Sequence, residues 1–148
     1  MINARAESLA EKFNFKRLLA NRRCLALADA FYEWRIEGKG KVPTLFKLKS
    51  REPFLFAGIW NTWKKLDGQA LRTYTIVTTE PNEVLAPVHN RMPVMLSDQE
   101  GLEWVNGGEI AHALNLLRPF PADLMDGYEV SKLVNSPVNA SPECNAAV

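Results

Sequence analysis

The sequence predicts one domain whose centre is a meander of antiparallel strands and whose flanks are short helices. Between Cys24 and Thr79, stretches rich in aromatic and aliphatic residues are separated by the turn signals EGKGK, KSREP and LDGQ. Ahead of them, Ala6, Leu9, Ala10, Phe13, Leu18 and Leu19 recur at helical spacing. Beyond them, Ser97 and Glu100 in SDQE form a capping-box pattern that opens a helix.

In order along the chain, Ala4 to Ala20 is predicted as two short helices broken near Asn14, the first capped by Asn3. Cys24 to Ile36 reads as one or two strands ending at the turn Glu37 to Lys41. Strands are predicted over Thr44–Leu48, Phe54–Trp63 and Leu71–Thr79, the last two joined by the turn Leu66 to Gln69. TTEPNEVLAPVHNRMP is predicted as an irregular or briefly helical loop, because three prolines in sixteen residues prevent a long helix. Helices follow to about Val105 and over Glu109–Leu117, then a strand over Tyr128–Val134. The tail NSPVNASPECNAAV offers little reason to fold by itself.

Composition narrows the class. The 148 residues fit one domain, residues 1–148, able to bury roughly two thirds of its unfolded surface. A formal charge of +1 gives no global electrostatic case for a polyanion, so any such site has to be local. Lys12, Lys16, Arg17, Arg22 and Arg23 form one basic run, and Arg35, Lys39, Lys41, Lys47, Lys49 and Arg51 another. No stretch reaches the length of a membrane span, and MINARAESLAEK lacks the apolar centre of a secretory signal, so the cytoplasm is expected. Cys24 and Cys144 make neither a CxxC motif nor a disulfide framework, and no metal or cofactor is expected.

Four stretches put ionisable or polar groups into core-like sequence: NARAE (Asn3 to Glu7), DAFYEW (Asp29 to Trp34), TTEPN (Thr78 to Asn82) and HNRMP (His89 to Pro93). On a strand, Phe31, Glu33 and Arg35 share one face and Tyr32 and Trp34 the other. Glu33 then has two readings: a solvated edge residue, or a carboxyl whose pKa is raised against aromatic surface and which moves protons near neutral pH. The second reading needs a partner, and His89 supplies one, with Arg91 adding an anion fork. His89 also reads as a loop-packing residue, Arg91 as a surface ion-pair residue, and Asn3 and Arg5 as a helix cap and a solvated side chain. Trp34, Trp60, Trp63 and Trp104 suit core packing or stacking on unpaired bases.

Taken in order, NARAE, RRCLALADAFYEW, FAGIWNTW, VTTEPNEVLAPVHNRMPVML and VSKLVNSPVN with PEC resemble the SRAP family, the SOS response-associated peptidase domain that senses abasic sites in single-stranded DNA. The resemblance covers nearly all of the chain. It implies an α+β domain of mainly antiparallel strands with a groove for single-stranded DNA. It makes His89 and Glu33 active-site residues, Asn3 the asparagine beside the nucleophile, and Arg5 and Arg91 the arginines that contact DNA phosphate. Thr78 and Thr79 fall where the family has a polar loop near the site. The family's nucleophile is a cysteine exposed at the amino terminus, whose amine and thiol capture the aldehyde of an abasic sugar as a thiazolidine.

Three departures from the family pattern stand out. Position two is Ile2, Leu27 replaces a frequent proline, and Ala30 replaces a frequent glycine before FYEW. The resemblance therefore implies an amino-terminally truncated family member, inactive in crosslinking by itself. A misplaced start, a degenerate fragment and a half that works with a separately encoded amino-terminal piece are three accounts of this. The expected partner is single-stranded DNA carrying abasic sites, with a non-covalent DNA-binding remnant or an inert fragment as alternatives.

Overall fold

The computed structural model describes residues 3–148, the side chain of Asn14 excepted; Ile2 lies outside the described residues. In chain order the elements are β1 (Asn3–Arg5), α1 (Ala6–Leu9), α2 (Phe13–Asn21), β2 (Arg23–Ala28), β3 (Phe31–Glu37), β4 (Gly40–Leu48), β5 (Phe54–Lys64) and β6 (Ala70–Thr79). They continue with β7 (Met92–Pro93), β8 (Met95–Leu96), α3 (Asp98–Val105), α4 (Ile110–Asn115) and β9 (Met125–Glu129), with single 3-10 turns at Ala122–Leu124, Lys132–Asn135 and Pro142–Asn145. The fold class is α+β, with mostly antiparallel strands and short helices. The chain forms two compact units.

The first unit comprises residues 1–27, 54–80 and 93–120. Its sheet has the order β1-β6-β5-β2, with β8 antiparallel to β5. Ala4, Leu9, Leu19, Ala57, Ile59, Val77, Leu96 and Trp104 form its core. Trp104 is fully buried, and its indole N–H donates to the carbonyls of Cys24 and Gly58, so the ring's one polar group is satisfied inside the core. Gly101 lets α3 approach closely, since a Cβ there would lie 2.6 Å from Leu55 Cδ1.

The second unit comprises residues 28–53, 81–92 and 121–148. Its sheet has the order β3-β4-β9 and is antiparallel throughout. Phe31 and Phe46 stack at 5.4 Å, and Gly127 stands opposite Phe46 in the register. A Cβ at Gly127 would come within 2.7 Å of the Phe46 ring, which explains a glycine inside a strand.

Several expectations change. Asn3 does not cap the first helix: it belongs to β1, and the residue preceding α1 is Arg5, without a side-chain cap. The helical break lies between Leu9 and Phe13, and Asn14 is inside α2. The meander divides into two sheets, because β4 pairs with β3 and β9. Between β4 and β5, Arg51 takes a φ of 63° and Pro53 lacks an N–H, so the chain turns away from a simple hairpin. The last strand is Met125–Glu129, and Lys132–Asn135 is a 3-10 turn. The tail is folded: Cys144 is buried, Val130 bridges Ala147, and the Tyr32 and Tyr128 hydroxyls donate to the Asn145 side chain and carbonyl. Ser97 and Glu100 form the predicted capping box of α3, which ends at Val105.

Candidate active site

Alternation along β3 sets the direction of every side chain on it. Glu33 lies between Phe31 and Arg35 on one face and pairs across the ladder with Thr44 of β4, which in turn pairs with Glu129 of β9. Phe31 stacks on Phe46 on one side of this row, and Arg35 forms an ion pair with Glu129 at 2.7 Å on the other. The Glu33 side chain is only 23% exposed. Burial raises its pKa above the ordinary carboxylate range, against the opposing pull of His89 and of a hydrogen bond to the Trp34 backbone.

The proline-rich segment that brings His89 to this carboxyl is organised by Asn82. The buried Asn82 side chain accepts the Leu85 N–H at 3.1 Å, and its carbonyl accepts the Ala86 N–H at 2.9 Å. The Asn82 amide nitrogen lies 3.1 Å from Met125 Sδ, and Leu85 is fully buried. The His89 N–H then donates to the Leu85 carbonyl at 3.1 Å, closing a helical turn before the chain extends into Met92–Pro93. Pro87 and Pro93 stop that turn from growing into a helix.

His89 Nδ1 sits 3.9 Å from Glu33 Oε2, 3.2 Å from the Arg91 nitrogen and 3.0 Å from the Arg91 carbonyl oxygen. A neutral Nδ1 accepts the Arg91 N–H, whereas a protonated Nδ1 donates to the Arg91 carbonyl. The loop therefore provides a partner for the ring in either state. A gap of 3.9 Å exceeds a hydrogen bond, so proton exchange with Glu33 needs a small rotation or an oxygen atom between the two. The pairing expected from sequence, Glu33 with His89, is present in the geometry, and Arg91 follows in the same loop.

Asn3, Arg5, Thr78 and Thr79 belong to the first unit. β1 runs parallel to β6 with Asn3 opposite Ile76 and Arg5 opposite Thr78. Asn3 and Arg5 are exposed while Ala4 between them is buried, as alternation demands. Thr78 and Thr79 are not in a loop: they end β6, both buried, and Thr78 Oγ1 donates to the Ala4 carbonyl at 3.4 Å. Thr78 thereby ties β1 to the sheet and fixes the backbone that carries Asn3 and Arg5.

Two features escaped the sequence reading. In the second unit, the Thr44 hydroxyl is buried next to Glu33 in the ladder; the strand register that places it there is not visible in local sequence. In the first, the guanidinium groups of Arg22 and Arg72 lie 4.8 and 5.9 Å from the Trp60 ring centre. An open cavity of about 390 Å³ is lined there by Cys24, Leu25, Trp60, Arg72 and Tyr74. Among the described residues no group of three His, Cys, Asp or Glu side chains is placed to hold a metal.

Comparison with known proteins gives the family. The profile of the SOS response associated peptidase (SRAP) family matches residues 1–137. The chain belongs to the SRAP family. It is similar to the abasic site processing protein YoqW of Bacillus subtilis, with 49% identity over 146 residues, 97% of this chain and 65% of that protein. The abasic site processing protein HMCES of Gallus gallus is 34% identical over 165 residues, covering 96% of this chain and 48% of that one. A crystal structure of a protein from Bacteroides thetaiotaomicron superposes with a TM-score of 0.90 at 30% identity, over 99% of this chain and 66% of its own. The chain thus spans about two thirds or less of the relatives it matches.

Proposed function

We propose that this SRAP-family protein binds single-stranded DNA at abasic sites in the DNA-damage response. In a form bearing an amino-terminal cysteine, it links covalently to those sites. The observation that carries this reading is the desolvated Glu33 carboxyl beside His89, an acid and a base held on separate backbone elements of one unit. The relatives' names, abasic site processing protein, supply the substrate class.

In this reading His89 acts as acid or base at the sugar ring oxygen, exposing the aldehyde. The cysteine α-amine adds to that carbonyl carbon, and neutral Glu33 gives its proton to the departing oxygen, which leaves as water to form the Schiff base. The thiol sulfur then adds to the carbon of the protonated imine, its proton returns to the Glu33 carboxylate, and the thiazolidine closes with a neutral ring N–H. Asn3 holds the amino terminus and Arg5 and Arg91 hold DNA phosphates, while Thr78, buried with Thr79 at the end of β6, secures the strand that carries Asn3 and Arg5. Autoproteolysis that uncovers the cysteine accounts for the peptidase label. Cys24 and Cys144 are internal in the sequence and lack the free amine that this chemistry needs. A separately encoded amino-terminal fragment is one source of the nucleophile. The cytoplasm is the proposed compartment; among the described residues no helix is long and apolar enough to cross a membrane.

The test is a labelled single-stranded oligonucleotide with one abasic site, mixed with the 148-residue chain and run on native and denaturing gels. A native shift that heating abolishes is expected; a heat-stable band would overturn the assignment of chemistry to an amino-terminal cysteine. A second, non-covalent reading draws on the Arg22–Trp60–Arg72 stack, which offers cationic and aromatic surface to an unpaired base without any covalent step.

A further inference from the structure

Thr44 carries a hydroxyl that the local packing does not explain. Its residue is 5% exposed, its Oγ1 is out of contact with solvent, and no hydrogen-bond partner reaches that atom among the described residues. Its neighbours along β4, Val42, Leu45 and Phe46, are buried and apolar. A valine there would have nearly the same shape and would avoid the cost of an unpaired buried hydroxyl. A buried polar atom kept at such a cost needs a partner in some state of the protein.

The register sets two carboxyls beside Thr44, Glu33 and Glu129, and Glu129 is already engaged by Arg35 at 2.7 Å. Glu33 and Thr44 are directly opposite on β3 and β4, so both side chains leave the sheet on the same face. Residues so paired hold their Cβ atoms roughly 4.5–5.5 Å apart, within the reach of a glutamate turning its carboxyl toward a threonine hydroxyl. Glu33 faces His89 at 3.9 Å, too far for a hydrogen bond, so that contact does not lock it.

We propose that Thr44 is a positioning residue for Glu33: its hydroxyl donates to the carboxylate once Glu33 has given up its proton, and releases it when Glu33 turns to His89. This rests on the reading of Glu33 as the proton-moving group. The charged groups around Glu33 are Arg35 and Glu37 on β3, Glu129 on β9, and His89 and Arg91 in the loop. Arg35 is engaged with Glu129 at 2.7 Å and Glu37 at 4.0 Å, so the row's other charges answer one another. Besides Thr44, β4 puts Gly40, Val42, Phe46 and Leu48 on this face, none with a charge or a hydroxyl. Thr44 is therefore the neutral donor available from the sheet itself.

The experiment follows the Glu33 carboxyl carbon by NMR as a function of pH in the 148-residue chain, without DNA, so its result does not depend on crosslinking. Thr44→Val is expected to move the Glu33 midpoint upward by roughly one pH unit, because the charged form loses a hydrogen bond. Thr44→Ser keeps the hydroxyl and is expected to restore the wild-type midpoint. An unchanged midpoint in folded Thr44→Val, or a serine variant that behaves like valine, overturns the proposal. In the unsubstituted chain the Thr44 resonances should titrate with the Glu33 midpoint and lose that step in Glu33→Gln. If they keep the step in Glu33→Gln, or show none at the Glu33 midpoint, Thr44 does not meet the carboxyl; this measurement decides even if valine prevents folding. Failure here with a sound abasic-site assay would leave the functional reading standing, and the reverse holds equally.

Discussion

Glu33 Oε2 and His89 Nδ1 lie 3.9 Å apart, one on a strand of the second sheet and the other at the end of a turn built around Asn82. The separation is close enough for each charge to influence the other, yet too long to fuse the two groups into a permanent hydrogen bond. Under the proposed function, proton exchange between the two needs a small rotation or a bridging oxygen atom.

The raised pKa of Glu33 has a consequence for stability. The folded protein holds the Glu33 proton to higher pH than the unfolded chain does, because burial disfavours the carboxylate. The stabilising contribution of that proton is complete below the unfolded-state value near 4.3 and is lost as pH rises through the folded-state value. Glu33→Gln mimics the protonated form, so it is expected to remove this decline and to be at least as stable at neutral pH. Urea melts across that pH range check it; a Glu33→Gln variant with the wild-type slope would show that the carboxyl titrates normally. In a form bearing an amino-terminal cysteine, the proposed function has the same substitution lower the crosslinking rate by about 10²–10⁴, the usual worth of a general acid.

Asn82→Ala tests what holds His89 in place. The substitution removes the side-chain acceptor of the Leu85 N–H and leaves it the Asn82 carbonyl at 3.2 Å, a loss of about 0.5–1.5 kcal/mol. Hydrogen exchange at Leu85, Ala86 and His89 should quicken while β4 and β9 keep their protection. If the exchange pattern is unaltered, the loop is held by Leu85 burial alone.

How far the sequence disclosed this site depends on the range of each signal. Glu33 and its facing were legible because strand alternation is local, and the capping box of α3 because Ser97 and Glu100 are three residues apart. The helix cap expected at Asn3 is absent because an asparagine ahead of a helical apolar pattern looks like a helix start, whereas parallel pairing with β6, over seventy residues away, draws it into a strand. Thr44 carries no local mark, since only the β3–β4 register places it beside Glu33. The folded tail was missed for the same reason: its anchors are the hydroxyls of Tyr32 and Tyr128.

Gly127→Ala probes packing next to the row that carries Glu33. The added Cβ meets the Phe46 ring at 2.7 Å, so either the ring or the strand has to shift. An overpacking cost of about 1–3 kcal/mol is expected. Pairing the substitution with Phe46→Leu should recover part of it, which two-state denaturation of the single and double variants would reveal as a favourable coupling. Equal and additive losses would mean that the two positions do not compete for space.

The last prediction separates the two readings of DNA binding. If Arg22, which ends α2, and Arg72 on β6 hold phosphates beside Trp60, binding of undamaged single-stranded DNA should weaken with salt, because each neutralised phosphate releases a counterion. Arg72→Gln is then expected to reduce the slope of log affinity against log salt by roughly 0.7, the value for one contact on a single strand. Trp60→Ala should lower affinity by about 1–3 kcal/mol with little change of slope, since stacking releases no counterion. A slope unaffected by Arg72→Gln, with affinity lost instead in Arg91→Gln, would place the DNA on the second unit and leave the Trp60 cavity out of the binding path.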